Sequence, residues 1–155
     1  MSASASPISL EPLPAQAGTY ALILHCSKTQ TVRIGKKGDL ALATGYYIYI
    51  GSAFGPGGVR ARLAHHFHPA NRPHWHIDYL RRVVAITEIW WVCSSIHHEH
   101  EWAAHLTRIR DVQIPLPRFG ASDCRCPSHL FYAADRPKRS WFPNGSLKSL
   151  SLTVY

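Results

Sequence analysis

The sequence predicts an α+β domain in which a small central sheet, mixed or antiparallel, is flanked by helices. Segments rich in β-branched and aromatic residues alternate with segments whose apolar residues recur at helical spacing, in the order strands, helix, strand, helix, strand. With 155 residues, 46% of them hydrophobic, the chain is long enough to bury one core. No apolar run is long enough to cross a bilayer, so we expect no membrane association.

Three segments carry the strand pattern: residues 19–25 (TYALILH), 46–50 (YYIYI) and 84–92 (VAITEIWWV). Between the first two, "TVRIG" and "DLAL" flank the turn "KKGD" and predict a hairpin. The stretch "SHLFYAA" predicts a later strand. In the second segment, alternation places Tyr47 and Tyr49 on one face of the sheet and their neighbours on the other.

Two segments have the spacing of amphipathic helices, at residues 59–67 and 98–110. Their apolar side chains recur every three or four residues: Val59, Leu63 and Phe67 in the first, and Trp102, Leu106 and Ile109 in the second. The short stretch "RPHWHIDYLRR" between them predicts a helical turn.

The chain divides into a flexible leader (residues 1–17), one domain (18–134) and a segment (135–155) that forms either a basic tail or a late edge strand. The leader has no basic start and no apolar core, so it does not resemble a secretory signal. The default location is therefore the cytoplasm, where thiols stay reduced. This expectation covers all four cysteines: Cys26, Cys93, Cys124 and Cys126.

The charge balance favours a polyanionic partner. Lys and Arg number 17 against 9 Asp and Glu, which gives a net charge of +8 and a pI near 9.6. No basic amphipathic helix of the kind that lies on membranes is evident, so nucleic acid is the favoured partner.

The loop "GSAFGPGG", residues 51–58, leads into the first helix and its two arginines. It lacks the lysine and Ser/Thr of a phosphate-binding Walker loop and the dinucleotide-binding glycine spacing, which argues against a nucleotide pocket. Arg60 and Arg62 project roughly 200° apart on a helix, so only one of them can face a common site. Arg62 shares its flank with His66, one turn later.

The second helix offers a carboxylate at its beginning. Glu99 lies three residues before Trp102 on the apolar stripe, whereas Glu101 projects elsewhere. A carboxylate that faces the interior must be paired or bind a cation, because burial of a lone charge is costly. The alternative is a carboxylate that simply complements the helix dipole.

Several motifs occur in the order found in one nuclease superfamily. "GTY" at residues 18–20 and "YIG" at residues 49–51 resemble the two halves of the GIY-YIG nuclease signature, and an arginine-bearing helix and a later helical glutamate follow. "GSAFGPGGVRARLAHH", "HWHIDYLRR" and "FGASDCRCPSHLFY" resemble a branch whose members occur alone or attached to endonuclease-III-type DNA glycosylases. The resemblance covers residues 18–132.

This resemblance implies a metal-dependent endonuclease. Tyr20 corresponds to the general base or hydroxyl relay of the family, and Tyr49 to the tyrosine of the second half-motif. The pattern around "VRARL" matches the catalytic arginine to Arg62, and the glutamate before an apolar pair matches Glu99 as the ligand of Mg²⁺ or Mn²⁺. The implied partner is nucleic acid, DNA in preference to RNA. We expect five further residues to contact it: Gly51, Ser52, Arg60, His66 and His76.

The chain departs from the family pattern at three places. A longer span separates the half-motifs, Ser52 replaces the usual lysine or threonine, and no asparagine follows the glutamate helix unless Ser122 or Asp123 substitutes for it. These departures motivate an alternative function, a non-catalytic nucleic-acid-binding adaptor that kept the fold.

Two other clusters contain metal-ligand side chains. "CRCPSH" provides Cys124, Cys126 and His129, which could form a zinc site if Cys26 or Cys93 completed it, but the spacing favours a structural turn. "HWHID" would place its histidines and aspartate on one face if it were a strand, and otherwise serves as a helix cap or a phosphate contact: His74, His76 and Asp78.

Overall fold

The computed structural model describes residues 9–68, 72–143 and 147–152. The six strands of its main sheet are β1 (Gly18–Cys26), β4 (Gly45–Ala53), β5 (Ala85–Cys93), β6 (Val112–Gln113), β7 (Leu130–Ala133) and β8 (Lys148–Ser151). Their order across the sheet is β6-β7-β4-β1-β5-β8, and every neighbouring pair is antiparallel. A separate antiparallel hairpin joins β2 (Gln30–Arg33) to β3 (Asp39–Leu42). The predicted α+β class is confirmed, with the sheet antiparallel.

The two faces of the sheet bury different sets of side chains, because successive residues of a strand point in opposite directions. Tyr47 and Tyr49 lie in one core cluster, and Ile48 and Ile50 lie in the other, as their alternation predicts. The central strand β1 is paired on both sides, with β4 and β5, and is buried along nearly all of its length. This strand carries Tyr20.

Helices cover both faces. Helices α1 (Gly58–Phe67) and α2 (His76–Leu80) pack their apolar side chains on the face that contains Tyr20 and Tyr49. Helix α3 (Glu99–Thr107) packs Trp102 and its neighbours on the other face. Helix α3 ends three residues earlier than the apolar stripe predicts, because the chain turns there to form β6.

The described part of the expected leader, residues 9–17, packs against the domain. Leu13 is fully buried in the core on the α1 side. The first N–H groups of a helix have no intrahelical acceptor, and here those of Val59 and Arg60 donate to the carbonyls of Gln16 and Pro14. A flexible leader is therefore wrong for residues 9–17, while residues 1–8 lie outside the described part of the chain.

The segment expected as a basic tail or a late edge strand contains strand β8, which pairs with β5 at the edge of the sheet. Trp141, Phe142 and Leu147 are buried on the face that α3 covers. This segment therefore belongs to the domain core within its described residues, 135–143 and 147–152. Among the described helices, none combines the length and apolarity that a bilayer span requires.

Candidate active site

A cavity of about 220 Å³ opens near the end of β4, where residues from both faces of the sheet meet. It brings together four side chains from four different elements: Tyr20 of β1, Tyr49 of β4, Arg62 of α1 and Glu99 of α3. These are the four residues that the sequence identifies as catalytic candidates. Gly51 and Ser52 line the same cavity.

Gly51 is required by the position of the Tyr20 side chain. The antiparallel register places Tyr20 directly opposite Gly51 on the neighbouring strand. A Cβ atom at position 51 would lie 2.3 Å from the Tyr20 hydroxyl oxygen, much closer than a van der Waals contact. The glycine of "YIG" therefore lets the Tyr20 ring cross the strand and reach the cavity.

The Tyr20 hydroxyl shares a hydrogen bond of 2.6 Å with Nε2 of His66, in the last turn of α1. His66 is fully buried, and its Nδ1 atom has no hydrogen-bond partner among the described residues. Burial lowers the pKa of His66 to about 3, although Asp78 acts in the opposite direction. His66 is therefore neutral and lies behind Tyr20. The expected contact between His66 and nucleic acid is wrong, because no part of its side chain is accessible.

Both cavity tyrosines are protonated at neutral pH. Burial raises the pKa of Tyr20 well above its usual value, and proximity to Tyr49 adds to the shift. Burial likewise raises the pKa of Tyr49, while the nearby Arg62 partly counteracts the shift. The hydroxyl groups can therefore donate and accept hydrogen bonds, but neither is a ready-made phenolate base.

Arg62 is held at the cavity by stacking. Its guanidinium carbon lies 4.6 Å from the centroid of the Trp75 ring, within the range of a cation–π contact. Trp75 also lines the cavity, and its backbone N–H donates to the Asp78 carboxylate at 2.8 Å. The aromatic ring thus restrains an arginine that is only partly buried. Trp75 was not among the sequence candidates.

Arg60 points away from this site, as helical geometry predicts for one of the two arginines. Its Nε and Nη2 groups donate to the backbone carbonyls of Leu13 and Glu11, so it fastens residues 9–17 to α1. It is not among the residues that line the cavity. Arg60 was expected to contact nucleic acid, but the structure places it in a structural role.

The "HWHID" residues do not converge on one point. They lie around the first turn of α2 and not on a strand, so their side chains do not share one face. The Asp78 carboxylate accepts the backbone N–H groups of His74 and Trp75, and His76 Nδ1 accepts the N–H of Gly120 at 2.8 Å. Burial opposes ionisation of Asp78, but these two hydrogen bonds and His65 together lower its pKa. The structure therefore favours the helix-cap interpretation of this motif. His76 was expected to contact nucleic acid, but its Nδ1 atom instead accepts a hydrogen bond from the loop that contains Gly120.

Glu99 occupies the first residue of α3, where a carboxylate also complements the helix dipole. Its side chain is 21% exposed, and Oε1 lies 3.5 Å from Nε2 of His100. Glu101 is 56% exposed and pairs with His98 instead. The two glutamates therefore differ in the way that the apolar stripe predicts.

A second carboxylate, that of Asp123, lines the cavity on the loop before β7. Ser122 is not among the lining residues. The buried hydroxyl of Ser52 has no hydrogen-bond partner among the described residues. Gly120, in the same loop, has φ +67° and packs against the Tyr49 ring, a conformation that favours glycine.

Two thiols and two imidazoles meet where this loop contacts α3. One ligand atom from each side chain lies within 4.8 Å of all the others: His100, Cys124, Cys126 and His129. The sequence provided three of these residues but not His100, and it named Cys26 or Cys93 as the fourth. Cys26 is instead buried in β1 and Cys93 is exposed at the end of β5, so neither completes the cluster.

The comparisons with known proteins gave one match. Neither the curated proteins nor the solved structures include a match to this chain. Residues 19–150 match the family described as "Domain of unknown function DUF123", a span that contains every residue lining the cavity. The chain therefore belongs to the DUF123 family.

Proposed function

We propose that the protein is a metal-dependent endonuclease that hydrolyses phosphodiester bonds of nucleic acid, DNA in preference to RNA. The observation that carries the proposal is the convergence of Tyr20, Tyr49, Arg62 and Glu99 in one cavity. Their sequence order and motifs resemble the GIY-YIG nucleases, and the convergence is what such an active site requires.

Three oxygen-bearing side chains at the cavity fit a hard divalent cation, and the imidazole and thiol side chains that also line it belong to the cluster of two thiols and two imidazoles. Glu99 and Asp123 provide carboxylates, and the Ser52 hydroxyl is a buried oxygen without a partner among the described residues. Oxygen ligands suit Mg²⁺ and Mn²⁺, and Mg²⁺ retains several of its waters. At about 30 Å³ per water, the cavity of about 220 Å³ has room for a hydrated ion and part of a phosphate. When bound, the ion supplies charge neutralisation at the phosphoryl oxygens.

Arg62 provides the second positive charge at the phosphate. A guanidinium group can bind two phosphoryl oxygens at once, and its charge is retained at any physiological pH. The stacking on Trp75 holds the group in place before substrate binds, so less conformational entropy is lost in the reaction. We therefore assign Arg62 to stabilisation of the charge that develops on the phosphoryl group.

The tyrosines position the attacking water. Hydrolysis adds the hydroxyl of water to phosphorus and leaves its proton for the departing oxygen. Because burial raises the pKa of both tyrosines, a phenolate base is unfavourable. The hydrogen bond to His66 fixes the rotation of the Tyr20 hydroxyl, which can then hold the water in line. We therefore assign Tyr20 to positioning the attacking water and not to removing its proton.

The charge of the chain suits a polyanionic substrate. A net charge of +8 favours phosphate contacts, and binding through them weakens steeply as salt rises. All four cysteines are free thiols, which suits the reducing cytoplasm where we propose that the enzyme acts.

A nuclease screen tests the proposal. Wild-type protein is incubated with single-stranded, duplex, branched and damaged DNA and with RNA, in Mg²⁺ or Mn²⁺, beside Arg62→Ala and Arg60→Ala. We expect cleavage of at least one substrate by wild type and a large loss of turnover in Arg62→Ala. Arg60→Ala controls for the stability of α1, since it removes an arginine of the same helix that does not line the cavity.

The adaptor is the alternative that the same screen decides. Binding of several nucleic acids with no cleavage under any condition would favour a non-catalytic adaptor and refute the nuclease proposal. The presence of Asp123 at the cavity favours the nuclease, because it places an oxygen ligand in the region where the usual asparagine is missing.

A further inference from the structure

We propose that His100, Cys124, Cys126 and His129 bind one zinc ion in a closed, structural site in the wall of the cavity, beside the divalent cation of the proposed nuclease reaction. Three of the four ligands also line that cavity: His100, Cys124 and His129. The four side chains come from two parts of the chain: the first turn of α3 and the loop between β6 and β7. Two thiolates and two imidazoles form one of the usual ligand sets of structural zinc.

The distances suit a tetrahedral ion. With Zn–S near 2.3 Å and Zn–N near 2.0–2.1 Å, neighbouring ligand atoms lie about 3.3 to 3.8 Å apart. His100 Nδ1 lies 3.0 Å from Cys126 Sγ, Cys124 Sγ lies 3.3 Å from His129 Nε2, and all four atoms lie within 4.8 Å of one another. Shifts of about 1 Å at most would therefore produce the coordination sphere.

The outer nitrogen of each histidine is already engaged, which fixes the inner nitrogen toward the cluster. His129 Nδ1 lies 3.3 Å from the carbonyl oxygen of Ile50, so it carries the proton and leaves the Nε2 lone pair facing Cys124. His100 Nε2 lies 3.5 Å from Glu99 Oε1, so its Nδ1 faces Cys126. Such carboxylate and carbonyl partners orient the histidine ligands of known zinc sites.

The loop that contains the ligands is long and is held by scattered backbone hydrogen bonds and by the buried side chain of Phe119. Residues 114–129 contain no helix or strand, and structureless loops longer than about 12–15 residues are uncommon in compact domains. Arg118 has φ 63° there, and its guanidinium donates to the carbonyl of Cys126 at 2.7 Å. An ion joined to both α3 and this loop would fix the helix that carries Glu99 against the loop that carries Asp123, and both of these residues line the cavity.

The ligand types distinguish the zinc ion from the divalent cation of the nuclease reaction, although His100, Cys124 and His129 also line the cavity. Thiolates and imidazoles select zinc over Mg²⁺, which prefers oxygen. Four protein ligands complete a tetrahedron, so no position is left for a substrate or a reacting water. A catalytic zinc site would keep one position open, and the site is therefore structural.

Metal analysis of the full-length protein tests the inference. Protein purified without chelator is analysed for zinc, and Co²⁺ is substituted into wild-type protein. We expect about one zinc per chain and, with Co²⁺, the thiolate-to-metal charge-transfer absorption and the visible bands of tetrahedral cobalt. The absence of bound zinc together with octahedral cobalt spectra would overturn the proposal.

Variants locate the site. Cys126→Ser and His100→Ala should lose most of the zinc, whereas Cys93→Ser, which removes an exposed cysteine outside the cluster, should retain it. If Cys126→Ser fails to fold, release of zinc from folded wild type by a thiol-blocking mercurial, with a colorimetric zinc dye as readout, reports the same contact. Zinc retained in His100→Ala and Cys126→Ser, or lost equally in Cys93→Ser, would overturn the assignment.

This test does not depend on the nuclease proposal. Zinc content and cobalt spectra are read without substrate, so a protein that cuts nothing can still confirm the site. Conversely, a zinc-free protein with Mg²⁺-dependent cleavage would refute the zinc site and leave the nuclease proposal standing.

Discussion

The burial of His66 behind Tyr20 leads us to predict how the stability of the protein depends on pH. His66 has a pKa of about 3 in the folded protein and 6.5 in an unfolded chain, because burial disfavours its charged form. Between these two values the unfolded state binds more protons, so the free energy of unfolding rises with pH. The stabilisation is complete above pH 6.5 and is lost progressively as pH falls toward 3.

The magnitude follows from the two pKa values. At pH 5 the unfolded imidazole lies 1.5 pH units below its pKa of 6.5 while the folded imidazole is still neutral. At about 1.36 kcal/mol per unit, this group removes about 2 kcal/mol of stability between pH 7.5 and pH 5. His66→Gln lacks a titrating group, so its stability should fall by about 2 kcal/mol less than that of wild type over the same interval.

Urea unfolding at pH 7.5 and pH 5 measures the effect. His66→Gln should be less stable than wild type at pH 7.5, because it disturbs a buried hydrogen bond, but should show the smaller pH decrement. His25→Gln, at an exposed position of β1, is the matched control and should keep the decrement of wild type. Equal decrements in wild type and His66→Gln would refute the assignment of His66 as a buried neutral histidine.

Two further predictions concern packing. Gly51→Ala should destabilise the protein by about 1–3 kcal/mol, because its new Cβ collides with the Tyr20 ring. Gly55→Ala should leave the stability unchanged, because nothing lies within 4 Å of a Cβ at that position. Chemical denaturation compares the two variants, and equal effects would contradict the close approach of Tyr20 to Gly51. Leu13→Ala should lower the free energy of unfolding by about 2–5 kcal/mol, because Leu13 is fully buried. Ile96→Ala, at a side chain that is 64% exposed, should change it by about 0.5 kcal/mol or less. An equally small effect of Leu13→Ala would show that residues 9–17 do not belong to the core.

Local periodicity was sufficient to predict the elements that carry the candidate site. The alternation in β4 placed Tyr49 with Tyr47, and the stripe of α3 distinguished Glu99 from Glu101, because both patterns depend only on the geometry of one element. The register that sets Tyr20 against Gly51 joins two distant strands. The sequence contains no local sign of this register other than Gly51 itself.

What the sequence did not reveal depends on contacts between distant segments. Trp75 supports Arg62 from the residue that precedes α2, and His100 completes a cluster whose other members lie 24 to 29 residues further along the chain. The signal for His100 was its position next to Glu99, but only the packing of the β6–β7 loop on α3 shows that it faces the cysteines. Leu13 was missed because the composition around it is typical of a loop.

The most direct test of the proposed function compares Glu99→Ala with Glu101→Ala in Mg²⁺-dependent cleavage and in binding of the same nucleic acid. Loss of a metal ligand costs several kcal/mol of transition-state stabilisation, so Glu99→Ala should cut about 100-fold more slowly or worse while binding as well as wild type or slightly better. Glu101→Ala, which removes an exposed carboxylate two residues away, should cut at the wild-type rate. An active Glu99→Ala beside an inactive Glu101→Ala would contradict the proposed metal ligand.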